Sequence, residues 1–169
     1  MIRILTAALF VLLFTGRVWS QASVTGQAFA EVIAALTATE TAQMNFGRFS
    51  PEVQGGQIVL TPQGVRTTQG SVVLGGGLAQ AGSFTITGEP NATFSIQLPN
   101  EPATLIHQGS NKTMLVDDWN SYPPAGTGSG TLAQGYEIVS VGATLQVGSL
   151  EDNPVGMYTG TFSLTFAYN

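Results

Sequence analysis

Apolar and polar residues alternate with a period of two along most of this chain. That is the pattern of β-strands that bury one face and expose the other. From Ala28 to Ala38 every even position is apolar: Ala28, Ala30, Val32, Ala34, Leu36 and Ala38. Ala, Glu and Leu also suit a helix, but the strict alternation favours a strand. Met44 and Phe46 share a face, with Gly47 allowing a bend before Phe49. Gln57 to Thr61 predicts a short strand stopped by Pro62, and Ser71 to Leu74 predicts another that runs into Gly75-Gly76-Gly77.

The clearest local unit is a predicted hairpin. Ser83 to Thr87 directs Phe84 and Ile86 inward, Gly88 to Ala92 forms the turn, and Thr93 to Leu98 directs Phe94, Ile96 and Leu98 inward. Thr104 to His107 and Met114 to Trp119 predict a second pair around Gly109 to Lys112. Ser121 to Gly130 reads as a Pro/Gly/Ser loop. Tyr136 to Val147 carries one or two strands, and Asp152-Asn153-Pro154 is a turn. The last strand runs from Tyr158 to Asn169, with Phe162, Leu164, Phe166 and Tyr168 on one face. Short strands separated by turn signals, with no alternating helices, predict an all-β fold: a single-domain antiparallel β-sandwich of immunoglobulin-like architecture.

The chain opens differently. Met1-Ile2-Arg3 is followed by an apolar run from Ile4 to Phe14, then Thr15-Gly16-Arg17 and the small residues Ser20 and Ala22. This is the layout of a secretory signal peptide over residues 1–22, with the domain spanning 23–169. The run is shorter than the roughly 20 apolar residues a membrane span requires. Export places the protein in the periplasm, on the cell surface or outside the cell. Removing residues 1–22 leaves Arg48, Arg66 and Lys112 against ten acidic residues. Three scattered cations do not make a nucleic-acid site, and no membrane span remains after cleavage. With no cysteine, there is no disulfide framework and no thiol chemistry.

Little in the sequence points to catalysis. His107 is the only histidine; Ser110 and Asp117 or Asp118 lie near it, but no nucleophile elbow is present. A lone strand-borne histidine reads as a surface residue. Asp117-Asp118 and Glu151-Asp152-Asn153 are the densest oxygen clusters, and neither matches a calcium loop. Adjacent strand residues also face opposite sides, which argues against Asp117 and Asp118 sharing a cation. The sequence therefore predicts no catalytic residue, no metal and no cofactor. Trp119 and Tyr122, beside Pro123-Pro124, are a candidate binding surface for a sugar or a partner, or else a core tryptophan at one end of the sandwich.

Four segments carry a resemblance: Met44-Asn45-Phe46-Gly47, Ala81 to Gly88, Val141 to Leu145 and Gly156 to Phe162. As a set they resemble the secreted bacterial family called domain of unknown function 4402, which implies an exported β-sandwich of unestablished activity. The C-terminus also resembles that of chaperone–usher pilus subunits: Tyr168 is penultimate and Gly156 is fourteenth from the end. The Cys pair of many such pilins is missing, and no separate N-terminal extension is obvious. This resemblance implies strand complementation, in which a neighbour's alternating segment fills a hydrophobic groove. The residues for assembly are then Val24, Ala28, Ala30, Val32 and Leu36 on the donor side, with Gly156, Phe162, Leu164, Phe166 and Tyr168 at the groove. The implied partners are copies of the chain or related surface subunits, and a periplasmic chaperone. The other functional expectation is a free-standing envelope or extracellular binding module, for glycan among other ligands.

Export carries its own test. Amino-terminal sequencing of the exported protein is expected to begin between residues 21 and 23, and a mature product that retains Met1 would exclude the signal peptide.

Overall fold

A computed structural model of the chain describes residues 21–169. The signal-peptide reading therefore falls almost wholly outside the described residues. Residues 33–169 form one compact unit, and the described residues before it, 21–32, carry no regular structure and are exposed throughout. The fold is all-β and antiparallel, with eleven strands among the described residues.

The organising strand is β9 (Tyr136–Val147). On one side it pairs with β7 (Thr113–Tyr122) along most of its length. On the other it pairs first with β4 (Gly82–Thr87), through Tyr136 to Val141, and then with β2 (Phe49–Leu60), through Ala143 to Val147. Gly142 sits at the handover, where a Cβ would overlap the backbone of Leu60 to Pro62. Beyond these neighbours the sheet continues through β1 (Thr37–Ala42) on β4, β3 (Arg66–Leu74) on β2, β6 (Ala103–His107) on β7, and the two-residue β10 (Tyr158–Thr159) on β6. A second sheet has three strands in the order β11 (Thr165–Tyr168), β5 (Thr93–Gln97) and β8 (Gly126–Thr131).

Two buried clusters hold these sheets. One joins Ile86, Val139 and Val141 of the large sheet to Phe94 and Ile96 of the small one, with Leu132 beside them. Phe84, Phe162, Leu164, Phe166 and Tyr168 pack against it. Gly130 lies flat on the Phe94 ring, where any Cβ would overlap it. The other cluster lies within the curl of the large sheet and contains Ile58, Leu60, Val72, Met114, Val116, Ala143, Leu145 and Val147, with Phe46. Arg66 strengthens the rim of this half: its guanidinium donates to the carbonyls of Phe46 (2.7 Å), Arg48 (3.2 Å) and Gly75 (3.0 Å).

Several sequence expectations need correction. Phe84, Ile86, Phe94 and Ile96 do face one core, but β4 and β5 are not a hairpin. They lie in different sheets, and their apolar faces meet across the core instead of side by side. Alternation fixes which face is buried; it does not distinguish a strand beside from a strand opposite. Of the stretch Ala28 to Ala38 only Thr37 and Ala38 join β1, because no neighbouring strand pairs residues 28–36. The Ser121 to Gly130 loop is shorter than expected, since β7 runs on to Tyr122 and β8 begins at Gly126. The final strand is interrupted: Gly160 to Leu164 lies between β10 and β11 without strand pairing. By contrast, β6 and β7 pair as expected, and Tyr136–Val147 is a single strand.

Phe94 is fully buried between the sheets. Phe94→Ala should cost about 3–5 kcal/mol, read as a lower midpoint in a denaturant titration. A change within about 0.5 kcal/mol, the range of ordinary surface substitutions, would mean that the two sheets do not share this core.

Candidate functional site

One concavity among the described residues is a mostly apolar groove with a cavity volume of about 1230 Å³. One wall is the chain from Glu40 to Pro51, and the other runs from Leu150 through Gly156 to Phe162. The floor is side chains of the cores themselves: Phe84, Leu105, Met114, Val116, Trp119 and Leu145. The groove exists because strand pairing stops on the second wall. β10 ends the large sheet, β11 ends the small one, and the five residues between them pair with no strand.

Glu40 is paired with Phe84, whose ring meets Phe162 edge-on at 6.1 Å. Glu40 and Phe162 therefore mark one end. Phe49 and Tyr158 pack against one core cluster.

Trp119 and Phe162 stack at 4.8 Å, with their planes tilted by 35°. The Trp119 indole Nε1 is buried without a hydrogen-bond partner, a deficit that typically costs about 1–3 kcal/mol. Tyr122, three residues on, is exposed and precedes a cis peptide bond to Pro123. Of the two aromatics singled out from sequence, Trp119 packs against the core clusters and Tyr122 is exposed.

The rim near Gly156 is built from polar contacts that sequence reasoning did not assemble. The His107 ring lies 4.9 Å from that of Tyr158, and its Nε2 sits 3.2 Å from the Val155 carbonyl. A carbonyl only accepts, so Nε2 carries the proton and Nδ1 accepts from the Ser110 hydroxyl at 2.8 Å and the Gly109 N–H at 3.2 Å. Gly156 packs so closely under His107 that a Cβ would overlap the ring. Asn153 is buried, takes the Gly148 N–H on Oδ1 and donates through Nδ2 to the Thr113 carbonyl at 2.9 Å. Ser149 holds the Asp152 carboxyl below its usual range by hydroxyl and backbone hydrogen bonds, while burial raises the Tyr158 phenol. Asp117 is engaged elsewhere, accepting from the Gln146 amide at 2.8 and 3.1 Å. His107 and Ser110 do meet, but the other ring nitrogen faces a carbonyl and no carboxylate. Among the described residues no three of His, Cys, Asp and Glu gather as a metal site, and no helix is long and apolar enough to cross a membrane.

The residues expected to take part in assembly divide into three groups. Gly156 and Phe162 line the groove. Leu164, Phe166 and Tyr168 do not; they pack on the core shared by the two sheets. On the donor side, Leu36 is also packed on that core, whereas Val24 and Val32 are 96% and 97% exposed, and Ala28 and Ala30 are exposed with them. An exposed N-terminal extension is therefore present, although the sequence alone did not make it obvious. Its inner end is fixed at Ala34, whose N–H donates to the Glu89 carboxylate (3.0 Å) and whose carbonyl accepts from the Tyr168 hydroxyl (2.9 Å).

No curated protein and no solved structure matches the chain. The sequence model of a family described as Domain of unknown function (DUF4402) matches residues 36–168. That span begins at the first residue packed on the core and leaves the exposed extension outside it. The chain belongs to this family, DUF4402.

Proposed function

We propose that this protein is a non-enzymatic, secreted structural or adhesive subunit: an immunoglobulin-like sandwich short of one strand, completed by a strand from another subunit in a pilin-like surface fibre. The open groove carries this reading. It is bordered by two long stretches of chain, its floor is the hydrophobic core, and the sheets end along one of its walls. A strand inserted there would cover the floor and pair with an unpaired edge, the two sources of affinity in strand addition. The sandwich architecture belongs to the same proposal, with β1, β4, β9 and β7 on one side of a core and β11, β5 and β8 on the other.

The exposed extension supplies the complementary part. Its even positions are apolar and uncharged, whereas the odd face mixes Gln27 and Glu31 with Phe29 and Ile33. Fully burying a valine contributes about 1.5–3 kcal/mol, so Val24 and Val32 are the main anchors of the even face and the alanines add less. A free-standing envelope module would be completed by its own chain, which makes the uncovered floor the reason to prefer a fibre subunit. Copies of the chain or related subunits are the partners. A periplasmic chaperone would shield the groove before assembly.

Size-exclusion chromatography with light scattering tests the reading. The mature chain is expected to form a concentration-dependent ladder of oligomers, and a variant lacking residues 23–33 is expected to remain folded and monomeric. A full-length mature chain that stays monomeric at high concentration, or a truncated one that unfolds, would exclude assembly by strand complementation.

A further inference from the structure

Charge is distributed over the two faces of the large sheet in an inverted way. A half-solvated antiparallel sheet ordinarily keeps its charged side chains on the outer face. The only charged residues of β1, β4 and β9 are Glu40 and Glu137. Directly opposite residues of an antiparallel pair share a face. Glu40 is opposite Phe84, which packs on the core, and Glu137 is opposite the buried Ile86. Both acids therefore sit on the core side, at its margins, and the outer face of these strands carries no charge.

That outer face is built from rows that cross the strands. Thr37, Thr87 and Tyr136 form the first row, and Thr39, Thr85 and Ile138 form the second. The third joins Ser83, Ser140 and Tyr122, with the Thr41 hydroxyl donating to that of Ser83 at 3.1 Å. Strand and residue spacings make the patch about 14 Å on a side. Tyr136, Ile138 and Tyr122 are 51%, 51% and 62% exposed. The Thr37 and Thr87 hydroxyls meet at 2.6 Å. A hydroxyl donates once and accepts twice, so this pair holds its own geometry and keeps a donor and acceptors for a ligand. The acids of β7, Asp117 and Asp118, lie beyond the third row, since Asp117 is opposite Thr144.

A face without charge selects against ionic ligands, because a phosphate, a uronate or an ammonium group would be desolvated there without a partner. It is also poor in what protein interfaces rely on: serine is depleted from them and arginine is a frequent anchor, whereas here hydroxyl residues dominate and Ile138 is the one aliphatic residue. Hydroxyl rows between two tyrosines match a ligand that is itself rich in hydroxyls and has an apolar C–H face. A pyranose ring lays that C–H face on an aromatic ring and hydrogen-bonds through its hydroxyls, and tyrosine offers both kinds of contact. Tyr122 and Tyr136 are about 14 Å apart, so they meet different sugar units of one chain. We propose that this face binds an extended, neutral polysaccharide, with Tyr122 and Tyr136 as stacking platforms and the serine and threonine rows between them as hydrogen-bonding partners. The site is separate from the groove. Ser83 and Thr85 point to one side of β4 and Phe84, on the groove floor, to the other, so filling the groove leaves this face uncovered.

Sedimentation of the mature full-length chain with cellulose, chitin and insoluble xylan, and affinity electrophoresis in dextran and alginate gels, test the assignment. Binding is expected to at least one of the neutral polysaccharides and not to anionic alginate, and is expected to persist at high salt. Tyr122→Ala and Tyr136→Ala should each weaken it about five- to tenfold, the loss of one stacking contact. Thr85→Asp, which places a charge in the middle row, should abolish it, while Thr127→Asp on the small sheet should leave it unchanged. Thermal melts of the tyrosine variants, whose side chains are exposed, are expected to match that of the parent. Failure to bind any neutral polysaccharide, a preference for alginate, or binding that survives the Tyr122→Ala, Tyr136→Ala double variant would overturn the assignment. Oligomers that dissociate in Tyr136→Ala would instead make the face an interface between copies, and would overturn it as well. None of these outcomes depends on the groove, so strand complementation stands or falls separately.

Discussion

The β9 strand is the element on which the rest depends. Every other strand of the large sheet is attached to it directly or through one or two neighbours, and its residues contribute to both core clusters. From Val141 to Leu145 five consecutive residues are buried, so this stretch is covered on both faces and not on one alone. The change of partner from β4 to β2 occurs within it, at Gly142. The small residue there lets the Leu60–Pro62 backbone approach more closely than any side chain would allow. One strand thus serves two half-sheets with different cores beneath them, and the curl between those halves opens the space that becomes the groove.

The groove itself reflects a constraint on edges. Sheets with exposed edges invite pairing with other chains, and natural proteins cover, shorten or distort them. Here β10 is reduced to two residues, and β11 to four, on either side of an unpaired crossing. The polar rim of His107, Ser110, Asn153 and Tyr158 fixes the loop leading into that crossing without placing a strand over the floor. The Tyr158 hydroxyl donates to the Pro154 carbonyl at 2.9 Å, so the loop is held at both of its ends while its apolar residues Val155 and Met157 remain exposed.

Strand faces were legible in the sequence, because alternation reports burial directly: Ile86, Phe94 and Ile96 are buried as their spacing implied. Strand partners were less legible. Phe84-Thr85-Ile86 and Phe94-Ser95-Ile96 flank a turn-rich link in either a hairpin or a crossing between sheets, and only the competing claims of β9 and β11 decide between them. The alternation from Ala28 to Leu36 promised a strand, but a strand needs a neighbour, and the single chain supplies none there. Of the candidate site, Gly156 and Phe162 were found through their place relative to the C-terminus. The floor residues Leu105, Met114 and Leu145 were not, since a position facing a groove and one facing a core have the same periodicity. Ser110 and His107 were both noticed, yet their meeting depends on the turn that follows β6.

The two hydrogen bonds at Ala34 have a mechanical consequence. Tension on the extension enters the compact unit where Glu89, in the link after β4, and Tyr168, at the end of β11, hold the same residue. Glu89 also donates its own N–H to the Tyr168 hydroxyl at 2.7 Å, closing a small ring of contacts. A pull is therefore shared between the large sheet and the small one before it reaches the first rung of β1. Loading both sheets together resists peeling, because no single strand edge has to bear the force alone.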